Sequence, residues 1–447
     1  MNQQIGSHAI VIGSGIAGLC TAQVLCRYFK EVTILERGAE PPHASEPRKE
    51  VPQGYHLHAL LKAGEQALEQ LFPGITHAMV QDGSIRINGT KELKWFHHGE
   101  WKKRFEGDIS VLLQSRPFLE GHIRLQVEKN SNVRILYTMK AVQPIHDASL
   151  NKIIGIQVLD GASPQSNDLY SDLVIDASGF GSIFHQWFTR NGYKCPEEKV
   201  NIDLCYASQI YQLDDTKRRN WSTLLVYPSA PMEKVGGSIS RIEGNRHIVT
   251  LMSYDSDLSH SVQQNFINIT KHLSQEDVYI NLQGAKALSE IKVYKVPYIV
   301  RHRYEKVKNL PQGFLFIGDA LCRFDPVFGQ GMSAAALEVL ELEDCLKQEW
   351  KETRGISTHL TKHFYKKVSK VIDPVWKMIL IEDFRYGHVT GKKPIGLSFL
   401  QWYTKRIFQR SSQNTDIYNA FIYVMNLLRP ASTLFSPSIL YKTFRRM

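Results

Sequence analysis

The sequence predicts an α/β chain: a Rossmann-type nucleotide-binding unit interleaved with a mainly antiparallel β-sheet, followed by C-terminal helices. Three observations predict it. A short apolar run, His8 to Ile12, meets the turn Gly13-Ser14-Gly15-Ile16-Ala17-Gly18, a helical pattern, a second apolar run (Glu31 to Leu35) and then Glu36. From about residue 200 to 295 the texture becomes strand-like alternation. After about 355 the pattern turns helical and basic.

Taken in order, the run HAIVI suits a strand buried on both faces of a parallel sheet, and EVTIL a second one. Residues 133 to 160 (NVRILYT, KIIGIQVLD) read as a pair of strands in a small meander. DLVID, Asp172 to Asp176, reads as a buried strand running into Ala177-Ser178-Gly179. LCYASQIYQL, WSTLLVYP, GGSISRIEG, RHIVTLMSYD and KVYKVPYIV form the second sheet, interrupted by one helix near 259 to 273. GFLFI, Gly313 to Ile317, is a further buried strand that leads into Gly318-Asp319-Ala320. A helix opens near Gly331 and runs through the alanine-rich segment that follows. The nucleotide-fold pieces are scattered, so the expected units are discontinuous: 1–80, 105–190 and 296–355 for nucleotide binding, 81–104 and 191–295 for the sheet, and 356–447 for the helices.

Composition narrows the class. The 447 residues, 43% hydrophobic and 22% charged, exclude a disordered, collagen-like or coiled-coil chain. No run of 18 apolar residues is present, so no membrane-spanning helix is expected. The opening MNQQIGSHAIVIGSG lacks the basic-then-apolar layout of a secretory signal. Six cysteines (Cys20, Cys26, Cys195, Cys205, Cys322, Cys345) without a CxxC pair read as reduced thiols of a cytosolic protein. The formal charge of +10 is uneven: Lys351 to Met447 holds 17 Lys/Arg against 5 Asp/Glu, and the rest is close to neutral. No nucleic-acid motif accompanies that charge, so nucleic acid is not an expected partner. The basic helical region suits either a solvated face or peripheral contact with an anionic membrane surface.

The glycine turn carries the first functional expectation. Gly13 permits the tight turn, Gly15 lets backbone approach a pyrophosphate, and Gly18 lets helix and strand pack closely. The phosphates would lie at the helix N-terminus beside Ser14, Ile16 and Ala17, where free N–H groups favour negative charge. Glu36, 23 residues after Gly13 and followed by Arg37, would hydrogen-bond adenosine ribose hydroxyls.

Gly318-Asp319-Ala320, Asp325-Pro326 and Gly329-Gln330-Gly331-Met332, leading into SAAALEVLEL, resemble the group A flavoprotein monooxygenases of the FAD-dependent hydroxylase family. Asp176-Ala177-Ser178-Gly179 and Gln114-Ser115-Arg116-Pro117 resemble two further motifs of that family. The resemblance implies FAD. It implies Asp319 on the ribityl side, Arg116 facing the phosphates, Val142 beside the cofactor, and Gly329, Gly331 and Met332 at a helix N-terminus by the flavin. The block Val51 to Leu61 (VPQGYHLHALL) with Leu71-Phe72-Pro73-Gly74 is similar to the subgroup that contains bacterial flavin epoxidases of polyether biosynthesis. His56 and His58 lack further ligands at metal-site spacing, so no metal is expected. The family's arginine after the serine of the aspartate-glycine segment has no counterpart; His185 stands near its place. The flavin halogenases share the fold, but their Trp-x-Trp-x-Ile-Pro stretch is absent, and Phe328 stands where they place a serine.

The implied function is a monooxygenase. FAD reduced by NADPH or NADH, directly or through a partner reductase, takes up O2. The flavin C4a-hydroperoxide then epoxidises or hydroxylates an apolar, secondary-metabolite-type substrate. Electrophilic oxygen transfer to an alkene needs no acid or base, so no catalytic residue is assigned. Pro326 and Phe328 are expected near the flavin, and Tyr206, Tyr211, Trp221 and Tyr227 are candidates for the substrate pocket. The alternatives are an FAD-dependent reductase or cyclase of isoprenoid-type lipids and a non-catalytic flavin-binding protein. The helices around FLQWYTKRIF and YNAFIYVMNLL are expected to act as a lid or to dock on lipid.

Overall fold

The computed structural model describes residues 3–41, 46–48, 51–161, 163, 166–255 and 258–445. Five parallel strands form the first sheet, in the order Phe314–Phe316, Leu173–Asp176, Gly6–Ile12, Phe29–Leu35 and Val133–Leu136. Ile10, Val11, Val174, Ile175 and Leu315 have no exposed surface, as expected of strands covered on both faces. Helices Ile16–Leu25, Lys62–Leu71 and Gly331–Glu352 pack against one another beside this sheet.

The predicted meander over 133 to 160 needs correction. Val133–Leu136 pairs in parallel with Val32–Leu35 and ends the first sheet. The chain then reverses at Thr138, whose φ is +55°. Met139–Asp147, Lys152–Asp160 and Ser166–Tyr170 make a separate three-stranded antiparallel sheet. Alternation in the sequence shows that these segments are strands but does not choose their partners, and Val133–Leu136, with no fully buried residue, is the edge strand of the first sheet.

The second large sheet has ten strands and is antiparallel except where Leu93–His97 joins Thr223–Val226. Its long central strands are Glu197–Gln212, Arg246–Ser253 and Lys292–His302. The last of these crosses residue 295 unbroken. Helices Leu258–Lys271 and Asp277–Leu282 cover one face over a core that contains Tyr211, Trp221, Leu251 and Phe266.

Helices Leu360–Asp383, Leu397–Arg410, Thr415–Met425 and Pro437–Phe444 complete the chain. A third core joins Trp95 and Ile109 to Tyr403, Ile407, Phe408 and Phe421, so the last helices close over the strand Leu93–His97. Asn426 anchors them: its Oδ1 accepts from the Lys62 N–H at 2.9 Å and its carbonyl from the Ala63 N–H at 3.2 Å. Among the described residues no helix is long and apolar enough to cross a membrane. All six cysteines are free thiols.

Candidate functional site

The turn after the first strand is shaped by two glycines. Gly13 has φ +98°, a region that disfavours side chains. A Cβ on Gly18 would stand 1.9 Å from the Gly13 carbonyl oxygen, so only glycine lets the helix start so close to the turn. Gly15, in contrast, has φ −75° and nothing within 4 Å of where its Cβ would be. It faces open space in a cavity of about 270 Å³.

That cavity is lined by Gly13, Ser14, Gly15, Ile16, Ala17, Glu36, Arg37, Arg116, Asp319, Gly329, Gly331 and Met332. Two predicted cofactor residues fall outside it. Gly18 acts through helix packing. Val142 is the extra residue of an irregularity between Ala141 and Gln143, and Met139, Lys140 and Ala141 line the cavity instead.

Glu36 ends the second strand and is buried. Its Oε2 accepts from the Ser14 N–H (3.0 Å), the Ser14 hydroxyl (2.5 Å) and Arg48 Nη1 (3.1 Å), and its Oε1 from the Gly38 N–H (2.9 Å). Burial pushes this carboxyl up, but the Ser14 and Gly38 hydrogen bonds and the Arg48 charge outweigh it and hold it below the usual range. Arg48 in turn reaches Glu120 at 2.5 Å, and Arg124 reaches the Ser14 carbonyl at 3.1 Å and Glu120 at 3.3 Å. Sequence reading missed this network. Half of it carries a signal, since Arg116, Glu120 and Arg124 recur every four residues on one face of the helix Arg116–Val127. Arg48 comes from a loop and carries none.

Arg116 Nη1 donates to His58 Nε2 at 3.2 Å. A guanidinium only donates, so His58 Nε2 accepts and its Nδ1–H goes to the His56 carbonyl at 2.9 Å. Burial, and then the Arg116 charge, press the His58 pKa down to about 3, so it is neutral. Arg116 Nε is buried without a partner. Asp319 lines the cavity with no protein hydrogen bond to its carboxylate among the described residues; burial raises its pKa, partly offset by Arg116 and Arg323.

These groups fit FAD. Two helix N-termini, at Ile16 and Gly331, open on the cavity with no side-chain cap and no acid in the first turn. Arg116 and Arg323 would supply positive charge for a pyrophosphate, and Glu36 and Asp319 would supply acceptors for sugar hydroxyls.

A second cavity, of about 200 Å³, adjoins the first. His58, Ala59, Pro326 and Gly329 line both. Its walls are largely apolar, from Leu57, Leu61, Leu93 and Val111 on one side to Met378, Phe421 and Met425 of the last helices on the other. The sheet contributes a face of hydroxyls: Thr223, Ser238, Ser240 and Thr250. Tyr206, Tyr227, Pro326 and Phe328 line this cavity. Tyr227 donates to the Val327 carbonyl at 2.9 Å and so braces the turn Pro326–Phe328.

Tyr211 and Trp221 do not line it. Tyr211 is five residues from Tyr206 on the same strand, so it points to the opposite face, against Phe266. Trp221 precedes the strand Thr223–Val226 and is buried in the same core as Tyr211. His185 lines neither cavity. It stacks on His302 at 3.7 Å, and its ring nitrogens meet the Tyr304 hydroxyl and the Ala320 carbonyl.

Behind the turn Pro326–Phe328 lie two carboxyls with no exposed surface, Asp325 and Asp383. Asp325 accepts from the Val327 N–H at 2.8 Å and the Tyr254 hydroxyl at 3.0 Å. Neither Asp383 carboxyl oxygen has a hydrogen-bond partner among the described residues. Burial and the neighbouring carboxylate raise the Asp383 pKa far above the usual range. His97, His98 and Glu382 bring ligand atoms within 4.8 Å of one another, but both Glu382 oxygens already pair with Arg385, at 2.8 and 2.9 Å.

Residues 11–72 match the NAD(P)-binding Rossmann-like domain, the stretch that holds the glycine turn and Glu36. The chain is 28% identical over 410 residues to Protein Rv3254 of Mycobacterium tuberculosis, covering 88% of this chain and 85% of that protein. It is 21% identical to the squalene monooxygenase of Rattus norvegicus over 76% of this chain, but spans only 54% of that enzyme's length. Among solved structures, the flavin-dependent brominase Bmp2 superposes with a TM-score of 0.67, at 16% identity and 94% coverage of each chain. PqsL of Pseudomonas aeruginosa, described as a probable FAD-dependent monooxygenase, gives 0.61 at 14% identity, over 86% of this chain and 98% of that one. This is the fold of the flavin-dependent monooxygenases and halogenases. This chain shares its layout: a Rossmann-like part, sheets of mixed orientation and C-terminal helices.

Proposed function

We propose that the protein is an FAD-dependent monooxygenase that places one oxygen atom from O2 into an apolar small molecule. The observation that carries this reading is the pair of adjoining cavities. One is furnished with helix N-termini, guanidinium groups and sugar-binding carboxylates, and the other is mainly apolar; they share His58, Ala59, Pro326 and Gly329. Bound FAD would supply the two-electron reduction of O2. Reduced nicotinamide, O2, a proton and substrate would give oxidised nicotinamide, water and the oxygenated product. The chain's share is to bind the cofactor, orient the substrate and exclude water. At the junction His58 is neutral, with both ring nitrogens engaged, so it neither supplies nor removes a proton there.

The similarity to the polyether epoxidase subgroup and to a squalene monooxygenase favours epoxidation of an alkene in a secondary-metabolite or isoprenoid-like substrate. Residues 1–80, 105–190 and 296–355 would hold FAD, 81–104 and 191–295 would face the substrate, and 356–447 would close over it. NADPH or NADH is the proposed donor. Anaerobic addition of NADPH to the FAD-loaded protein tests direct use by bleaching of the flavin band. Product mass tests the reaction: one added oxygen supports oxygenation, whereas two added hydrogens or an unchanged mass indicates a reductase or a cyclase. A protein that takes up no FAD would end the reading.

A cytoplasmic location is proposed from the free thiols, with peripheral membrane contact through the last helices. Ile395 (98% exposed), Phe399 (57%), Trp402 (50%) and Phe444 (41%) form an apolar surface, with Phe399–Trp402 and Trp402–Phe444 ring contacts of 5.7 Å. Residues 384–447 hold ten Lys/Arg and one acid, Asp416. Sedimentation with phosphatidylserine vesicles at low salt, reduced by Trp402→Ala, is expected. Equal pelleting without vesicles or with neutral lipid would argue against it.

A further inference from the structure

His56 is buried beside the rings of Tyr206 and Tyr294, at 6.0 and 5.9 Å, in the material between the two cavities. Tyr294 lines the first cavity and Tyr206 the second. From His56 a chain of hydrogen bonds runs into the second cavity: His56 Nδ1 to Ser208 Oγ at 2.8 Å, and Ser208 Oγ to Thr250 Oγ1 at 2.7 Å. Ser208 and Thr250 face each other across neighbouring strands, and Thr250 lines the cavity.

The chain has a direction. Among the described residues His56 Nε2 is buried with no partner. A neutral imidazole carries one N–H, and an orphaned buried donor is rarer and costlier than an orphaned acceptor. The proton therefore sits on Nδ1 and is donated to Ser208. The Ser208 hydroxyl then donates to Thr250, whose Oγ1 has accepted its bond. The Thr250 hydrogen is left over: no protein acceptor takes it among the described residues, since the Ser238 bond goes to the Thr250 backbone carbonyl instead. Each donation polarises the next hydroxyl in line.

We infer that Thr250 is a specificity-determining residue that donates a hydrogen bond into the substrate cavity, so that the substrate is an apolar molecule bearing an acceptor oxygen (carbonyl, hydroxyl or ether) opposite Thr250. This rests on the apolar-substrate reading and sharpens it. The oxygen binds because it takes a hydrogen the protein cannot place; a pure hydrocarbon leaves that hydrogen unpaired in a dry site. Thr250 does no chemistry on the reacting atoms and fixes the position of the substrate.

Calorimetric titration of the FAD-loaded full-length protein with two probes tests this. Methyl nonyl ketone can only accept hydrogen bonds; its isostere has =CH2 in place of =O. The ratio of their affinities is compared among the wild type, Thr250→Val and Thr250→Ser. The ratio is expected to fall roughly 3- to 10-fold in Thr250→Val, the worth of one hydrogen bond, and to stay within about twofold of wild type in Thr250→Ser. The isostere's own affinity should barely move. A ratio unchanged in Thr250→Val overturns the inference and leaves the apolar-substrate reading standing. If neither probe binds the wild type, that reading and the inference fall together. Thr250→Ala, which gives the same expectation as Thr250→Val, serves if the valine variant does not fold.

Discussion

Alanine at Gly15 and, separately, at Gly18 divides the work of the glycine turn into cofactor approach and helix packing. At Gly15 the backbone is ordinary (φ −75°) and the space beyond Cα is empty, so the apoprotein should accept a methyl with a stability change below about 1 kcal/mol. That methyl stands in the cavity where the phosphates of FAD are proposed to approach. It should weaken FAD binding by an order of magnitude or more, about 1.4 kcal/mol per tenfold. At Gly18 the methyl would lie 1.9 Å from the Gly13 carbonyl oxygen and 3.0 Å from the Gly13 carbonyl carbon, both backbone atoms. The helix or the turn must shift, at about 1–3 kcal/mol for an overpacked contact. Gly18→Ala should therefore lower the melting temperature of the apoprotein and its FAD affinity together. Thermal melts without cofactor and flavin-fluorescence titrations on the same samples measure both quantities. A Gly15→Ala protein that binds FAD as tightly as wild type would refute the placement of the phosphates at this turn.

The other predictions concern buried acids and the lid. Asp383 and Asp325 are raised acids, so the native state binds more protons than the unfolded chain, and stability falls as pH rises above about 4; Asp383→Asn should flatten that fall, with the variant gaining on wild type between pH 5 and pH 8 in melting experiments. Glu338, whose Oε2 accepts from the Gly318 N–H at 2.8 Å while its Oε1 has no partner, is pushed by burial up to about 8; Glu338→Gln should be nearly neutral at pH 6 and more stable than wild type at pH 9, and the reverse order would contradict a protonated Glu338. Phe421, 2% exposed and lining the substrate cavity, should cost about 3–5 kcal/mol as alanine; denaturant unfolding reads the loss, and Phe421→Leu should recover much of it.

The parts of the site that were legible in the sequence are those whose chemistry is local. The glycine turn, Glu36, Asp319 and the segment Pro326 to Met332 each sit at a strand end or a helix start, where backbone conformation and side-chain role are fixed within a few residues. Less was legible where strands choose partners or faces. Val142 fell out of the cavity because one irregular residue pair shifted its neighbours into the lining. Tyr211 was lost to strand parity, which the sequence displays: Tyr206 and Ser208 share a face, and Tyr211 is on the other. Arg48 and the wall residue Met378 were beyond reach, since their neighbours come from distant segments and no spacing rule links them.

The order in which the two cavities are completed along the chain also has a meaning for biosynthesis. The last residue lining the cofactor cavity is Ala335, whereas the substrate cavity still needs Met378, Phe408, Phe421 and Asn426. Synthesis at roughly 5–20 residues per second leaves an interval on the order of 5–20 s between the two events. During that interval every residue lining the nucleotide cleft has been made, while the apolar wall still lacks its last helices. Asn426 then ties the final helices to Lys62 and Ala63 and brings in the last part of that wall. Loading before closure would make the cofactor a template around which the substrate chamber is finished.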